Sequence, residues 1–517
     1  MPKTIQLLRT EGNYFLVAPT TRVVRSILSR AFTYVLRQKL QGPELHAARR
    51  AKRSIIKTEH VECFDFDQKG RMVLAAGFLP RCTETLRDAG YDVRYVDRPP
   101  TKRELRIFDP NFENVLAQAS LRHRQDEFLV KVAANPFGRF DCAPGYGKSF
   151  LIALIAIMFP HARICVVSRR VGVLVGRIFP ELLGIIPDVG VRGGGRNVSG
   201  RRVMCYTSGS LQHALGQEWD IVIVDECHEA ASDDTAYKLA QFRGRPRMYG
   251  LSGSQDMRWD GKDMRCEALF GPILMEVGYQ EGVANNMLVP IVVHWRDVVM
   301  DVDPCGRHED TNKKRWGLWR NDYRNGLIAQ DARRHPGEQV IVTCESVEHI
   351  VHLKALLPEA TLVYAVNGME DRVDANGRNR REQYIDQGLL PADEPPNTAD
   401  RHQGLLRALQ AGAPGIYVCT GVINVGIDLR HCLAVCRAEG TASAIMDTQV
   451  PGRVSRINGV KTQGHVYDYL DQFNPGCHRN ATSRSKNYRG HGWQQEFPAE
   501  DAVLKELAAQ QARRRGA

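Results

Sequence analysis

Cys142–Ser149 reads CAPGYGKS and leads into the apolar run FLIALIAIMF; at Ile221–Ala230 the chain reads IVIVDECHEA. A glycine-rich turn at the start of a helix offers backbone N–H groups and the positive end of the helix dipole to an anion. The first stretch therefore predicts a phosphate cradle made by Gly145, Tyr146, Gly147, Lys148 and Ser149, with Lys148 neutralising the outer phosphates and Ser149 holding Mg2+. Cys142 stands where the full pattern has its first glycine, while Gly145 and Gly147 keep the positions at which the backbone comes closest to the ligand. In the second stretch, Ile221 to Val224 are apolar and β-branched and predict a buried strand. Its end delivers two carboxylates, Asp225 for Mg2+ and Glu226 to orient an attacking water.

The chain has 517 residues, enough for three or four domains with their own cores. Its 70 Lys and Arg exceed its 59 Asp and Glu, for a formal charge of +11, which favours a polyanionic partner. Residues 1–100 hold 18 basic and 10 acidic side chains, so most of the surplus lies ahead of the phosphate-loop stretch. Thirteen cysteines are scattered without a CxxC pair, and Cys432 and Cys436, the closest two, have no companions at zinc-ligand intervals. Reduced, mostly buried thiols and a cytoplasmic setting are expected. Neither a signal peptide nor a run of about 18 apolar residues is present, so no membrane partner is expected.

Four segments follow from pattern and composition. Residues 1–100 mix short alternating strands with a helix near Thr21 to Gln41 and end in a charged, proline-paired linker, YDVRYVDRPPTKREL, which predicts a small basic α+β domain. Over 116–290 the strands ARICVVS, RRVMCYTS, DIVIVDE and MYGLSGS alternate with helices, the pattern of a mostly parallel sheet whose ligands bind at the carboxyl ends of its strands. The alternation restarts over 291–475 with QVIVTCE, TLVYAV, GIYVCT and GHVYDYL. Between Gln387 and Gln403 an exposed insertion is expected, and 476–517 reads as a basic, solvated tail with a short helix near Asp501 to Gln511.

In this order, the motifs resemble those of superfamily 2 helicases over residues 118–473. LRHRQ, Leu121–Gln125, is similar to the element whose glutamine reads adenine; Asp225, Glu226, Cys227 and His228 form a DECH motif II. GLSGSQDMRWDG, Gly250–Gly261, resembles motif III; TGVINVGIDL, Thr420–Leu429, motif V; and QVPGRVSR, Gln449–Arg456, motif VI. The resemblance implies two tandem RecA-like α/β domains behind the small N-terminal domain. It implies ATP and Mg2+ as cofactors, with Gln125, Gly426 and Asp428 joining the phosphate loop at the nucleotide, His228 coupling the site to the second domain and Gln449 counted among the catalytic residues. Arg453 and Arg456, three apart on one helical face, would supply the cations that stabilise the γ-phosphate during transfer.

Within that superfamily the chain is most similar to the phage UvsW-like and XPB-like DNA helicases, which implies remodelling of forked and four-way DNA in replication, recombination or repair. The leading domain then grips duplex phosphates through Arg22, Arg25, Arg30 and their basic neighbours, beyond a hydrophobic-Pro-Arg turn at Leu79–Arg81. Arg170, Thr207, Ser210 and Thr420 match positions near the nucleic-acid backbone, contacts that carry no sequence readout and weaken with salt. Trp259 reads either as a base-stacking wedge or as packing under a loop. An RNA helicase, or a DNA-translocating motor subunit that does not separate strands, are the alternative readings.

Overall fold

The computed structural model describes residues 3–498 except 41, 52, 144, 254–261, 307–310, 372, 375–376, 424–428 and 450. The chain divides into two compact units, residues 1–143 with 147–277, and residues 144–146 with 278–517.

The first unit contains two main layers. Five strands, in the order Phe64–Phe66, Met72–Ala75, Tyr14–Ala18, Thr4–Arg9, Asp92–Val96, form the sheet of the N-terminal domain. Its core gathers Leu7, Phe15, Val24, Leu28 and Phe78. Two expectations change here. The segment 21–41 is a helix only over Arg22–Ala31, capped by Thr21; the β-branched and aromatic run that follows, Thr33–Lys39, pairs antiparallel with Ile56–Glu62. The supposed linker starts with the strand Asp92–Val96, parallel to Thr4–Arg9, and continues into the helix Lys102–Ile107, closed by a Thr101–Glu104 capping box.

The second layer is an eight-stranded sheet, ordered Arg196–Val198, Val189–Gly193, Val203–Thr207, Ile164–Ser168, Ile221–Asp225, Arg247–Ser252, Phe137–Cys142, Ile273–Val277. Only the first pair is antiparallel. The helix Lys148–Met158 follows the strand Phe137–Cys142 and is buried from Leu151 to Met158, as its almost unbroken apolar sequence requires. Registers bring Asp225 level with Ser168 and Leu251, and Ser252 level with Asp141, so the carboxyl ends of four strands meet in one row.

The N-terminal domain is docked on this sheet layer. Leu79–Arg81 opens the helix Leu79–Asp88, with Pro80 in its first turn, where a missing N–H costs nothing, and is not the turn expected. Arg81 donates to both carboxylate oxygens of Glu267, at 2.7 and 2.5 Å. Beside it Gly77 packs so closely that a Cβ would lie 2.2 Å from the Glu267 carbonyl oxygen.

The second unit holds a seven-stranded sheet in which every pairing is parallel, ordered Thr361–Val363, Gly415–Cys419, Gln339–Thr343, Cys432–Arg437, Gly464–Asp471, Ile291–Val298, Gln494–Glu496. Both large sheets thus have the RecA-like arrangement expected. The unit begins at Gly278, ahead of the expected boundary at 290. The solvated tail is corrected more strongly. Pro475–Gly490 is a helix with Ala481, Arg484 and Tyr488 buried, and Gln494–Glu496 adds a strand to the sheet. The segment 387–403 is not simply exposed either. Asn397 is buried and donates to the Tyr364 carbonyl at 2.6 Å, and buried Glu394 pairs with Lys354 at 3.1 Å. The helix expected at 501–511 lies outside the described residues.

All thirteen cysteines are free thiols, eleven of them buried. Among the described residues no helix is long and apolar enough to cross a membrane, and no cluster of His, Cys, Asp and Glu has metal-binding geometry.

Candidate nucleotide site

Gly145 and Gly147 have φ of 101° and 93°, backbone that a side chain resists, which is why glycine is required on both sides of Tyr146. Gly147 caps the helix Lys148–Met158 in the left-handed conformation, and Lys148 and Ser149 occupy its first turn. Tyr146 and Ser149 are buried.

From the end of the strand Ile221–Asp225 the backbone turns sharply. Glu226 has φ 49° and ψ 53°, a left-handed conformation costly for a non-glycine residue and concentrated at functional sites. The turn brings its carboxylate to Lys148, whose Nζ donates to Glu226 Oε1 at 2.7 Å. Burial pulls the Lys148 ammonium down, but the charges of Glu226 and Asp225 outweigh it and hold Lys148 above its ordinary value. Burial likewise opposes ionisation of Glu226, yet the charges of Lys148 and His228 hold it below the usual carboxylate range. Asp225 is raised, by burial first and by the neighbouring Glu226 charge second. Both Asp225 oxygens are buried without a hydrogen-bond donor among the described residues. A buried carboxylate so placed has the donor set of a Mg2+ ligand, because an oxygen-seeking cation satisfies it without a proton.

His228 and Ser252 extend the cluster. His228 Nδ1 lies 2.7 Å from Ser252 Oγ, and that hydroxyl lies 3.4 Å from Glu226 Oε2. Ser252 ends the strand Arg247–Ser252, so motifs II and III are joined through side chains.

Arg177 was not foreseen. Its Nη2 lies 3.6 Å from Asp225 Oδ2, carried by a π-helical turn, Leu174–Ile178, a distortion common at functional sites. A lone arginine within the apolar segment Val171–Phe179 was the available signal.

Gln125 begins the helix Gln125–Ala134 and is fully buried. Its Oε1 accepts from the Arg122 backbone N–H at 2.9 Å, while its Nε2 is buried without an acceptor among the described residues. An amide left half-satisfied in this way suits the edge of a nucleobase.

The expected nucleic-acid residues divide. Arg170 is engaged by Glu229, with Nε 3.2 Å from Oε2. Thr207 and Ser210 serve the local fold: the Ser210 hydroxyl accepts from the Thr207 N–H at 3.1 Å and donates to the Arg192 carbonyl at 2.6 Å, capping the 3-10 turn Ser208–His213. Thr420 directly follows the strand Gly415–Cys419, and its N–H donates to Val363 O at 2.9 Å.

In the second unit, Gln449 ends the helix Ala444–Gln449, and Arg453 lies in a 3-10 turn, Pro451–Ser455, in place of the expected α-helical face. Residues three apart eclipse in such a turn. Arg453 is buried, and Arg456 bridges Leu288 just past its end. Gly426, Asp428 and Trp259 lie outside the described residues.

No protein-family model and no curated protein matches the chain. Among solved structures, a putative HsdR subunit of a type I restriction enzyme from Vibrio vulnificus is similar over 87% of this chain and 81% of its own, at 15% identity and a TM-score of 0.52. At that identity the likeness shows a shared fold, large parallel α/β sheets with a small N-terminal sheet domain. Bacteriophage T4 UvsW is similar over 96% of this chain and 99% of its own, at 15% identity and a TM-score of 0.38. The Mycobacterium smegmatis helicase Lhr, solved with single-stranded DNA and AMP-PNP, covers 74% of this chain with 50% of its own, at 15% identity and a TM-score of 0.46.

Proposed function

We propose that this chain is a nucleic-acid-dependent ATPase that moves along DNA and unwinds or branch-migrates forked and junction substrates. The observation that carries the reading is the partly buried Lys148–Glu226 pair at 2.7 Å beside an Asp225 carboxylate with no hydrogen-bond donor among the described residues, at the carboxyl end of a parallel sheet. Such a site sets out a cation for phosphate, a carboxylate for metal and a base for water in one row. Ser149 and Asp225 would hold Mg2+, which, when bound, neutralises charge on the triphosphate.

In this reading the phosphate draws Lys148 away from Glu226. The freed carboxylate accepts the proton of the attacking water. His228 and Ser252 hold Glu226 in place, and Gln125 meets the adenine edge. Arg453 and Arg456 supply charge to the γ-phosphate in the transition state, with Gln449, Gly426 and Asp428 completing the set.

The exposed arginines Arg22, Arg25, Arg30 and Arg37 support a DNA-gripping role for the N-terminal domain. Arg25 lies 4.1 Å over the Phe66 ring, which holds its charge on that face. Hydrolysis assayed with single-stranded, duplex, forked and four-way DNA and with duplex RNA tests the proposal. The strongest stimulation is expected with branched DNA, and stimulation by RNA alone overturns the DNA assignment. Strand displacement on a fork, beside triplex displacement, separates unwinding from translocation alone.

A further inference from the structure

The helix Pro475–Gly490 follows the last motif and is polar enough to read as solvated, yet it carries two side chains into a fully buried charge network. Arg484 donates to Asp468 Oδ1 at 2.9 Å, and the Tyr488 hydroxyl donates to Asp468 Oδ2 at 2.7 Å. The same hydroxyl accepts from Arg437 Nη1 at 2.8 Å, and Arg437 Nη1 also donates to Asp447 Oδ1 at 2.7 Å. Asp447 lies two residues before Gln449, in the helix that opens motif VI. Its other oxygen accepts from Asn487 Nδ2 at 2.7 Å and from the Ser443 N–H at 3.2 Å.

We propose that the C-terminal helix Pro475–Gly490 is a positioning element for motif VI, acting on Asp447 directly through Asn487 and indirectly through Tyr488 and Arg437.

Three observations carry this. Arg437, Asp447, Asp468, Arg484 and Tyr488 are each no more than 2% exposed, and apolar residues would fill the same volume without the desolvation cost that five buried polar groups incur. What the polar groups add is direction. A hydrogen-bonded carboxylate has one seat, whereas an apolar side chain can slide. The network is anchored on rigid elements at both ends, because Arg437 ends the strand Cys432–Arg437 and Asp468 lies inside the strand Gly464–Asp471, the two being sheet neighbours. Finally, the motif VI turn is a short 3-10 segment, Pro451–Ser455, too brief to hold its own orientation. Asp447 sits a turn and a half upstream and is the point at which the C-terminal helix takes hold of it.

The role rests on the ATPase reading, and two measurements on the full chain keep the parts distinct. Asn487→Ala removes one donor to Asp447, and Tyr488→Phe unties Arg437 from Asp468; a thermal melt verifies that each variant is folded. Hydrogen exchange of amides 444–455 without nucleotide is expected to speed up by about tenfold in the double variant, as local opening becomes easier. DNA-stimulated kcat is expected to fall by about 10- to 100-fold, the scale of a 1 Å misplacement, with KM for ATP unchanged because the phosphate loop is untouched. Unaltered exchange overturns the positioning role. Faster exchange with unaltered kcat overturns its part in turnover. A native chain that hydrolyses no ATP overturns the ATPase reading, and exchange still decides the positioning.

Discussion

Replacing Glu226 by Gln should raise affinity for ATP while abolishing its hydrolysis, an unusual pair of effects that follows from the 2.7 Å bond to Lys148. Two unit charges at that separation attract by roughly 6 kcal/mol at an effective dielectric of about 20. Most of this is offset by the cost of holding both groups out of water. Glutamine keeps an acceptor of nearly the same shape, so a hydrogen bond of about 1 kcal/mol survives, and the difference the variant experiences is about 1 kcal/mol. Because Lys148 must leave Glu226 to meet phosphate, that difference returns as a five- to tenfold lower Kd for ATP. Turnover should drop by about 10^3-fold or more, since the amide cannot accept the proton of water. The assay is titration with a fluorescent ATP analogue beside phosphate release at saturating DNA. A variant that binds ATP at least tenfold more weakly, or that hydrolyses at the native rate, refutes the reasoning.

Gln125→Ala should raise KM for ATP by about tenfold with kcat little altered and reduce the preference for ATP over GTP, measured as the ratio of kcat/KM values, because only the base edge loses its partner. Arg81→Ala leaves the buried Glu267 carboxylate without its guanidinium; a loss of about 1–2 kcal/mol, after allowing for the exposure of Arg81, should appear as earlier proteolysis between the N-terminal domain and the sheet layer. Acid should act on the second unit through Asp468. Burial opposes its ionisation, but Arg484 and Arg437 bring it below the ordinary 3.8, so its stabilisation is complete above that pH and is lost as pH falls beneath it. Asp468→Asn should cost about 3–5 kcal/mol at neutral pH and flatten the acid limb of a melting profile.

Sequence alone determined whatever depends on local pattern and short spacing. The runs Ile221–Asp225 and Gln339–Thr343 are strands because β-branched apolar residues bounded by polar ends have few other places to go, and both form within a residue or two of the expected stretches. Gly147, Lys148 and Ser149 were legible for the same reason: a helix start, a cation and a hydroxyl are consecutive. Lys148 and Glu226 could be assigned to one site because both follow strands of a parallel sheet, whose carboxyl ends converge. Hydropathy failed wherever polar residues are buried against a partner distant in the chain. Arg484 and Tyr488 look like surface in NATSRSKNYRG, and Glu394 and Asn397 look like an insertion. Each is buried because Asp468, Lys354 or the Tyr364 carbonyl satisfies it. Arg177 reached Asp225 by the same logic. A charge's environment is set by what folds against it, and that belongs to the tertiary structure.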